Sequence, residues 1–423
     1  MRGVAKTTVL LTGILFLLTT PAMRAQRASS AGAKVAASAG AKVASTDALP
    51  KDVYLDSRSR LPVIKREELN EERKKYYDAA VTRLRSVRPD GVAGIQLHAS
   101  GLDVRWDATI GRRLSELAII TTAREHDQPY EWSLHELEGM SVGLEPAIID
   151  VVRNRKPLTG VGEKEATIIQ LGRELGRHRV TSETYARGLK LFGETSLVDL
   201  AVLMAQYAGT SANLTAANQW MPPQMKQFLP LPFTLPDDIL PDSRSRIPVV
   251  NPQAPPPVPA QNQPAAPAGL YRRSIAPPPT GPQSMARFAA GLKSLEASQG
   301  RAMMALAVLI TAREHDSQYD WTPTETSARS EGLDPEVIDV VRLRKPLTGV
   351  RQKDATLIQF GRELFGKHYV TAETYARARL QFGQRDLSDF VVGLMAPHAR
   401  DETLLAFFDQ HLPAGQKPLL PIP

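Results

Sequence analysis

Three side chains in the stretch 116–135, ELAIITTAREHDQPYEWSLH, form a set that can move protons: Glu116, Glu131 and His135. Glu131 and His135 stand four residues apart, and an i, i+4 pair shares one face of a helix. Glu116 lies on a preceding helix, with a tight turn between the two. Two carboxyls crowded into a partly buried site raise one pKa, which leaves an acid beside a base. An imidazole titrates near neutral pH and can relay the proton. Such a set can protonate the carbanion or dienolate left by loss of carbon dioxide, or enolise a lactone. General acid–base help of this kind contributes about 10²–10⁴-fold. The competing reading is that Glu116 and Glu131 simply pair with Arg112, Arg113 or Arg124.

The neighbours extend the candidate site. Tyr130 and Trp132 flank Glu131 and, with Gln128, can wall a pocket for a planar substrate, although aromatics at this spacing also serve cores. His126 and His315 recur in one motif, and His178 and His368 in another. Neither pair has partners at metal-ligand spacing, so both read as structural. A metal site combining Glu131, His135 and His126 has no specific pattern behind it, and neither metal nor cofactor is expected. The basic groups at 153–156 and 342–345 can hold a substrate carboxylate, or simply favour a helix C-terminus.

The elements that must position these groups read as helices. Leu69, Tyr76, Tyr77, Ala80, Val81 and Leu84 have helical spacing over 67–85, and RPDGVAG at 88–94 is turn chemistry. From 96 to 207 the pattern is helical, with short breaks and no period-2 strand. Gly143 stops the helix carrying His135, and Pro146 suits the first turn of the next. Thr181 caps 182–191, Gly193 ends that helix, and Ser196 with Asp199 resembles a capping box opening 197–208. The expectation is an all-α fold.

The chain also repeats itself, with an offset near 189. TAREHD at 122–127 returns at 311–316, KPLTGV at 156–161 returns at 345–350, GREL at 172–175 returns at 361–364, and ETYAR at 183–187 returns at 373–377. DSRSRLPV at 56–63 has a near-copy, DSRSRIPV, at 242–249, and both read as extended lead-in arms. Between the copies, residues 252–282 hold 11 prolines, a semi-rigid linker of polyproline character. The second copy lacks a counterpart to the 67–85 helix. At the same offset Glu116 becomes Ala305, Gln128 becomes Ser317, Glu131 becomes Asp320 and His135 becomes Thr324, while Trp132 survives as Trp321. The second copy therefore reads as a non-catalytic partner.

Composition bounds the classes. At 423 residues the chain is long enough for two domains of roughly 100–200 residues each. The N-terminus has a charged start (Arg2, Lys6), an apolar run VLLTGILFLL at 9–18, and small residues up to Ala25, the pattern of a secretory signal. The run is short of the roughly 20 residues a membrane span needs, so an exported protein without an integral membrane segment is expected. Removing Arg2, Lys6 and Arg24 lowers the formal charge from +7 to +4. No basic stripe interleaves with aromatics, so nucleic acid is not indicated. The chain contains no cysteine, which excludes thiol chemistry by its own residues.

LSELAI at 114–119, QPYEWSLHE at 128–136, Gly143–Leu144, HRVTSETYAR at 178–187 and FGE at 192–194 resemble the carboxymuconolactone decarboxylase-like family, the all-helical group that includes alkylhydroperoxidase D. The resemblance covers 91–232 well and 285–413 more thinly. In the peroxidase branch the site is a Glu, a Cys-x-x-Cys pair and a His four residues on. Placed here, the Glu falls on Glu116, the His on His135, and the cysteines on Gln128 and Glu131. Peroxide reduction needs the sulfur itself, so the resemblance is to the decarboxylase-like branch. It implies two tandem helical domains, which with the segments read from composition gives a signal at 1–25, a spacer at 26–55, a first domain at 56–240, the linker at 241–282 and a second domain at 283–423 with a degenerate site. It also implies a small-molecule carboxylate or lactone as substrate, and a homo-oligomer or an intramolecular pseudo-dimer. A non-catalytic ligand-binding or assembly module with the same fold is the alternative.

Overall fold

The computed structural model describes residues 49–84, 91–100, 104–105, 109–248 and 282–422. The signal segment, most of the spacer and most of the Pro-rich linker lie outside them. Among the described residues the regular structure is helical: α1 Glu71–Leu84, α2 Gly91–Gln96, α3 Arg112–Glu125, α4 Pro129–Ser141, α5 Pro146–Arg153, α6 Glu163–Leu175, α7 Ser182–Phe192 and α8 Glu194–Ala216. After the linker come α9 Pro282–Gln299, α10 Arg301–Glu314, α11 Gln318–Ser330, α12 Pro335–Arg342, α13 Gln352–Gly366, α14 Ala372–Phe390, a π turn Val391–Met395 and α15 Ala396–Phe407. The all-α class is as the sequence predicts. No helix among the described residues is long and apolar enough to cross a membrane.

The repeated motifs turn out to be the joints. In TAREHD the final Asp is left-handed in both copies (Asp127 φ 45°, Asp316 φ 51°), a conformation Asp tolerates better than most residues. Arg124 grips Asp127, and Arg313 grips Asp316. These turns aim α4 back along α3 and α11 back along α10. In GREL the acid reaches across the next turn, Glu174 to the Thr181 amide at 2.7 Å and Glu363 to the Thr371 amide at 2.9 Å. The glycine of the same motif lets helices touch: a Cβ on Gly172 would stand 2.4 Å from Thr121 Cγ2, and one on Gly361 2.2 Å from Ile310 Cγ2.

The DSRSR arms tie the two halves to each other. Arg60 donates to the Val180 carbonyl at 2.9 Å and to that of Phe407 at 3.2 Å, with Asp52 on its Nε at 2.8 Å. Arg246 donates to the Val370 carbonyl at 2.7 Å, and its backbone amide bonds Ala217 at the end of α8. Each arm thus bridges a loop of one half to the last long helix of the other. Those helices, α8 and α15, pack together so closely that a Cβ on Gly209 would meet the Ala396 carbonyl at 2.9 Å. Leu404, Leu405 and Phe407 of α15, with Phe408 just after it, belong to the same apolar core as Trp132, Ile168 and Leu200 of the first half.

Three local expectations need correction. Residues 91–96 form α2 rather than a turn. The described residues of 97–111 are turns and bends rather than helix. There Asp199 does not close a capping box; α8 starts earlier, at Glu194. Its carboxylate instead accepts from the Ser100 amide at 2.7 Å and hydroxyl at 2.6 Å, pinning that irregular segment over α8.

Candidate functional site

The residues singled out for proton chemistry meet where α3 and α4 face each other. Pro129 at the first turn and Gln128 as N-cap start α4, and the helix then carries Glu131, His135 and Glu138 on one face. His135 Nδ1 lies 2.6 Å from Glu116 Oε2 on α3, and its Nε2 lies 3.2 Å from Glu131 Oε2. The imidazole is therefore held at both nitrogens by carboxylates. Glu116 is fully buried, while Glu131 and His135 are each 3% exposed. Tyr207 of α8 closes the site from the side, its ring edge-on to the imidazole at 5.0 Å.

Arginines balance this charge. Arg112 Nη2 lies 2.7 Å from Glu116 Oε1, and Arg105 Nη2 lies 2.8 Å from Glu138 Oε2. Arg112 also approaches Glu138, at 3.6 Å. Arg112 and Glu138 are partly exposed, the members of this cluster nearest solvent. Burial alone would push the Glu116 carboxyl up, but the His135 hydrogen bond and the Arg105 and Arg112 charges hold it below the usual carboxylate range. Burial would likewise pull His135 down, and its bonds to Glu116 and Glu131 outweigh that and hold it above its ordinary value. Carboxylates and an imidazolium, rather than neutral groups, are the resting state this arrangement favours.

The expected substrate-binding residues do not join the trio. Trp132 is fully buried in the core, with Nε1 donating to Glu136 Oε2 at 2.6 Å and the Arg153 guanidinium 5.8 Å above its ring. Gln128 accepts from the Tyr130 amide at 2.8 Å and donates to Thr215 Oγ1 at 3.2 Å. Tyr130 packs with Leu134, Leu214 and Met221. The basic group at 153–156 is also paired within the chain: Arg153 grips Glu136, and at the surface Lys156 grips Asp150. Sequence reasoning missed Arg105, Glu138 and Tyr207. Glu138 follows His135 by three residues on the same helix and was findable; the other two arrive from distant elements.

The second half corrects a further expectation. At a fixed offset it holds no imidazole beside Asp320, yet His398 Nδ1 lies 2.8 Å from Asp320 Oδ2. The histidine comes from α15, because the π turn at Val391–Met395 carries one extra residue. Gly193 and Gly383 share the same left-handed φ of 74°. Met204 and Met395 both set their Cε against the matching glycines Gly172 and Gly361. From glycine to methionine there is one more residue in the second half, so Tyr207 corresponds to His398 and Ser211 to Glu402. Such π bulges often sit at functional positions. Burial would lower His398, but the Asp320 hydrogen bond and charge carry it up to about 9.

The histidines read as structural also find each other. His126 and His368 lie 5.8 Å apart by ring centroid, and His178 and His315 lie 5.0 Å apart. Both pairs join the first copy to the second, and His126, His315 and His368 line a small cleft with Ala208, Ser211 and Ala399 of α8 and α15. Burial drives His126 and His315 down and His178 down to about 3, so these three imidazoles are held neutral.

Comparison of the chain with known protein families, with curated proteins and with solved structures returned no match. The functional reading therefore rests on the geometry above and on the motifs themselves.

Proposed function

We propose that the chain is an acid–base enzyme that moves a proton at carbon beside a carboxylate or lactone carbonyl, as the resemblance to carboxymuconolactone decarboxylase-like proteins implies. The observation that carries this is His135 gripped at both ring nitrogens by the buried carboxylates of Glu116 and Glu131. Glu116 on Nδ1 orients the ring and stabilises its cation. The Nε2 side, with Glu131, faces the substrate and exchanges the proton. Arg112 offers its guanidinium to the substrate carboxylate once Glu138 swings aside. In a site shielded from water these charges act more strongly than they do in bulk solvent. The leader-like first 25 residues support a site of action outside the cytoplasm.

The test is a panel of lactones and 3-oxo acids assayed for carbon dioxide release and isomerisation. His135→Asn should lower any turnover by about 100-fold or more while leaving the circular dichroism of the fold intact. An equally active variant sinks the proposal.

A second reading is favoured by one observation: the trio is enclosed, and Glu116, Glu138 and His135 all have partners within the protein. A polar network of that kind can serve only to fix the packing of α3 on α4 in a non-catalytic binding or assembly module. In that case the same variants lose stability, and no member of the panel is bound or turned over by the native chain.

A further inference from the structure

We infer that Asp320, His398 and Glu402 form a site for a divalent first-row transition metal, distinct from and independent of the proposed proton-transfer centre. One ligating atom from each of the three lies within 4.8 Å of the other two. His398 Nδ1 and Asp320 Oδ2 lie 2.8 Å apart, near the roughly 3 Å between neighbouring ligands on one metal with bonds of about 2.1 Å. Asp320 is on the first turn of α11, while His398 and Glu402 are one helical turn apart on α15, so both point from the same face toward α11.

The independent observation is Glu402. Its side chain is fully buried, and neither carboxylate oxygen has a hydrogen bond. His315 Nδ1 comes within 3.0 Å of Oε2, but it is also 2.9 Å from the Thr311 carbonyl, an acceptor that claims its proton. Buried carboxylates almost always have donors, and one without them calls for an explanation such as an ion.

The first half shows what the second half is missing. There Glu116, His135 and Glu138 form a comparable cluster, but Arg112 and Arg105 supply the cations. The counterpart of Arg112 is Arg301, which turns away to Glu296 at 2.6 Å and Glu331 at 3.6 Å. Arg400, on the same helix as Glu402, is held by Asp401. Asp320 and Glu402 thus face one another across His398 with no guanidinium between them. A dication bound by two carboxylates and a neutral imidazole leaves the cluster uncharged. One nitrogen and two oxygen donors suit zinc, cobalt, iron or manganese rather than calcium.

The experiment uses the full chain, stripped with chelator and titrated with Co²⁺, followed by visible absorption and by metal analysis after dialysis. The expected result is about one Co²⁺ per chain, displaced by Zn²⁺. Affinity should fall at least tenfold in Glu402→Gln and in Asp320→Asn, and Glu138→Gln at the other cluster should leave it unchanged. Asp320→Asn sits at the rim of the site and is read alone if Glu402→Gln does not fold. A native chain that retains no Co²⁺ or Zn²⁺ overturns the proposal. So does retention of metal by Asp320→Asn, or its loss in Glu138→Gln, since either moves the metal elsewhere.

Discussion

His135 Nδ1 and Glu116 Oε2 lie 2.6 Å apart, in a place where the carboxylate has no exposure to solvent at all. That pair ties α4 to α3 and leaves Glu116 dependent on His135 and Arg112 for its charge. Truncation by Glu116→Ala should therefore cost about 3–5 kcal/mol, the range for breaking a buried ion pair from one side. Urea unfolding of native and variant chains measures it. A loss below 1 kcal/mol would mean that water reaches the site freely.

The joint between the halves should respond to acid. His178 has a folded pKa of about 3, against about 6.5 for an unperturbed histidine. The unfolded chain therefore takes up the proton first. The contribution of this group is complete above pH 6.5 and is lost as pH falls toward 3. His135 runs the opposite way: its folded pKa is raised, so its contribution is complete below pH 6.5 and fades as pH rises through the folded value. Urea midpoints between pH 3.5 and 8 should fall on the acid side, and His178→Phe should flatten that limb alone. An unaltered acid limb in the variant argues against a neutral His178 in the joint.

Close approach at the repeated glycine gives a third expectation. Alanine improves helix propensity over glycine by about 1 kcal/mol, yet a Cβ at position 172 would stand 2.4 Å from Thr121 Cγ2. Gly172→Ala should destabilise by about 1–3 kcal/mol through overpacking, and Gly361→Ala should do the same against Ile310. Thermal unfolding of both variants tests this; a rise in either midpoint would show that α3 and α6, or α10 and α13, have room to separate.

The arms carry the fourth. Arg60 is buried and donates to carbonyls from both halves, and its guanidinium lies 5.0 Å from the Tyr185 ring. Arg60→Ala strands those carbonyls and Asp52, at a cost of about 2–4 kcal/mol. Hydrogen exchange should report faster opening at 180 and 407 together. Faster exchange at only one of them would show that the arm does not couple the halves.

How much of this was legible in the sequence follows from the range of the interactions. Glu131 and His135 share a face by helical spacing alone, and a short turn after Glu125 suffices to bring Glu116 opposite, so the trio could be read locally. The repeated motifs exposed the duplicated helices for the same reason. Arg105 and Tyr207 could not be read, because an irregular segment and a distant helix deliver them. His398 could not be read for the same reason: it stands where the first half has Tyr207, on a distant helix, and only the fold brings it to Asp320. For Trp132 the sequence left pocket wall and core both open, because its i+4 partner Glu136 and Arg153, which enclose it, leave no signature distinguishable from a surface charge pattern.

The most direct measurement of the central proposal is solvent-deuterium incorporation into a carboxylated lactone or 3-oxo acid, run in D₂O with the native chain and with Glu131→Gln. The substitution keeps the shape of the side chain and removes its charge. The proposed chemistry predicts one solvent deuteron at the reacting carbon with the native chain, and about 100-fold slower incorporation in the variant under conditions where circular dichroism shows it folded. Equal incorporation by both, or none by the native chain across the panel, would contradict a proton-transfer centre at Glu116, Glu131 and His135.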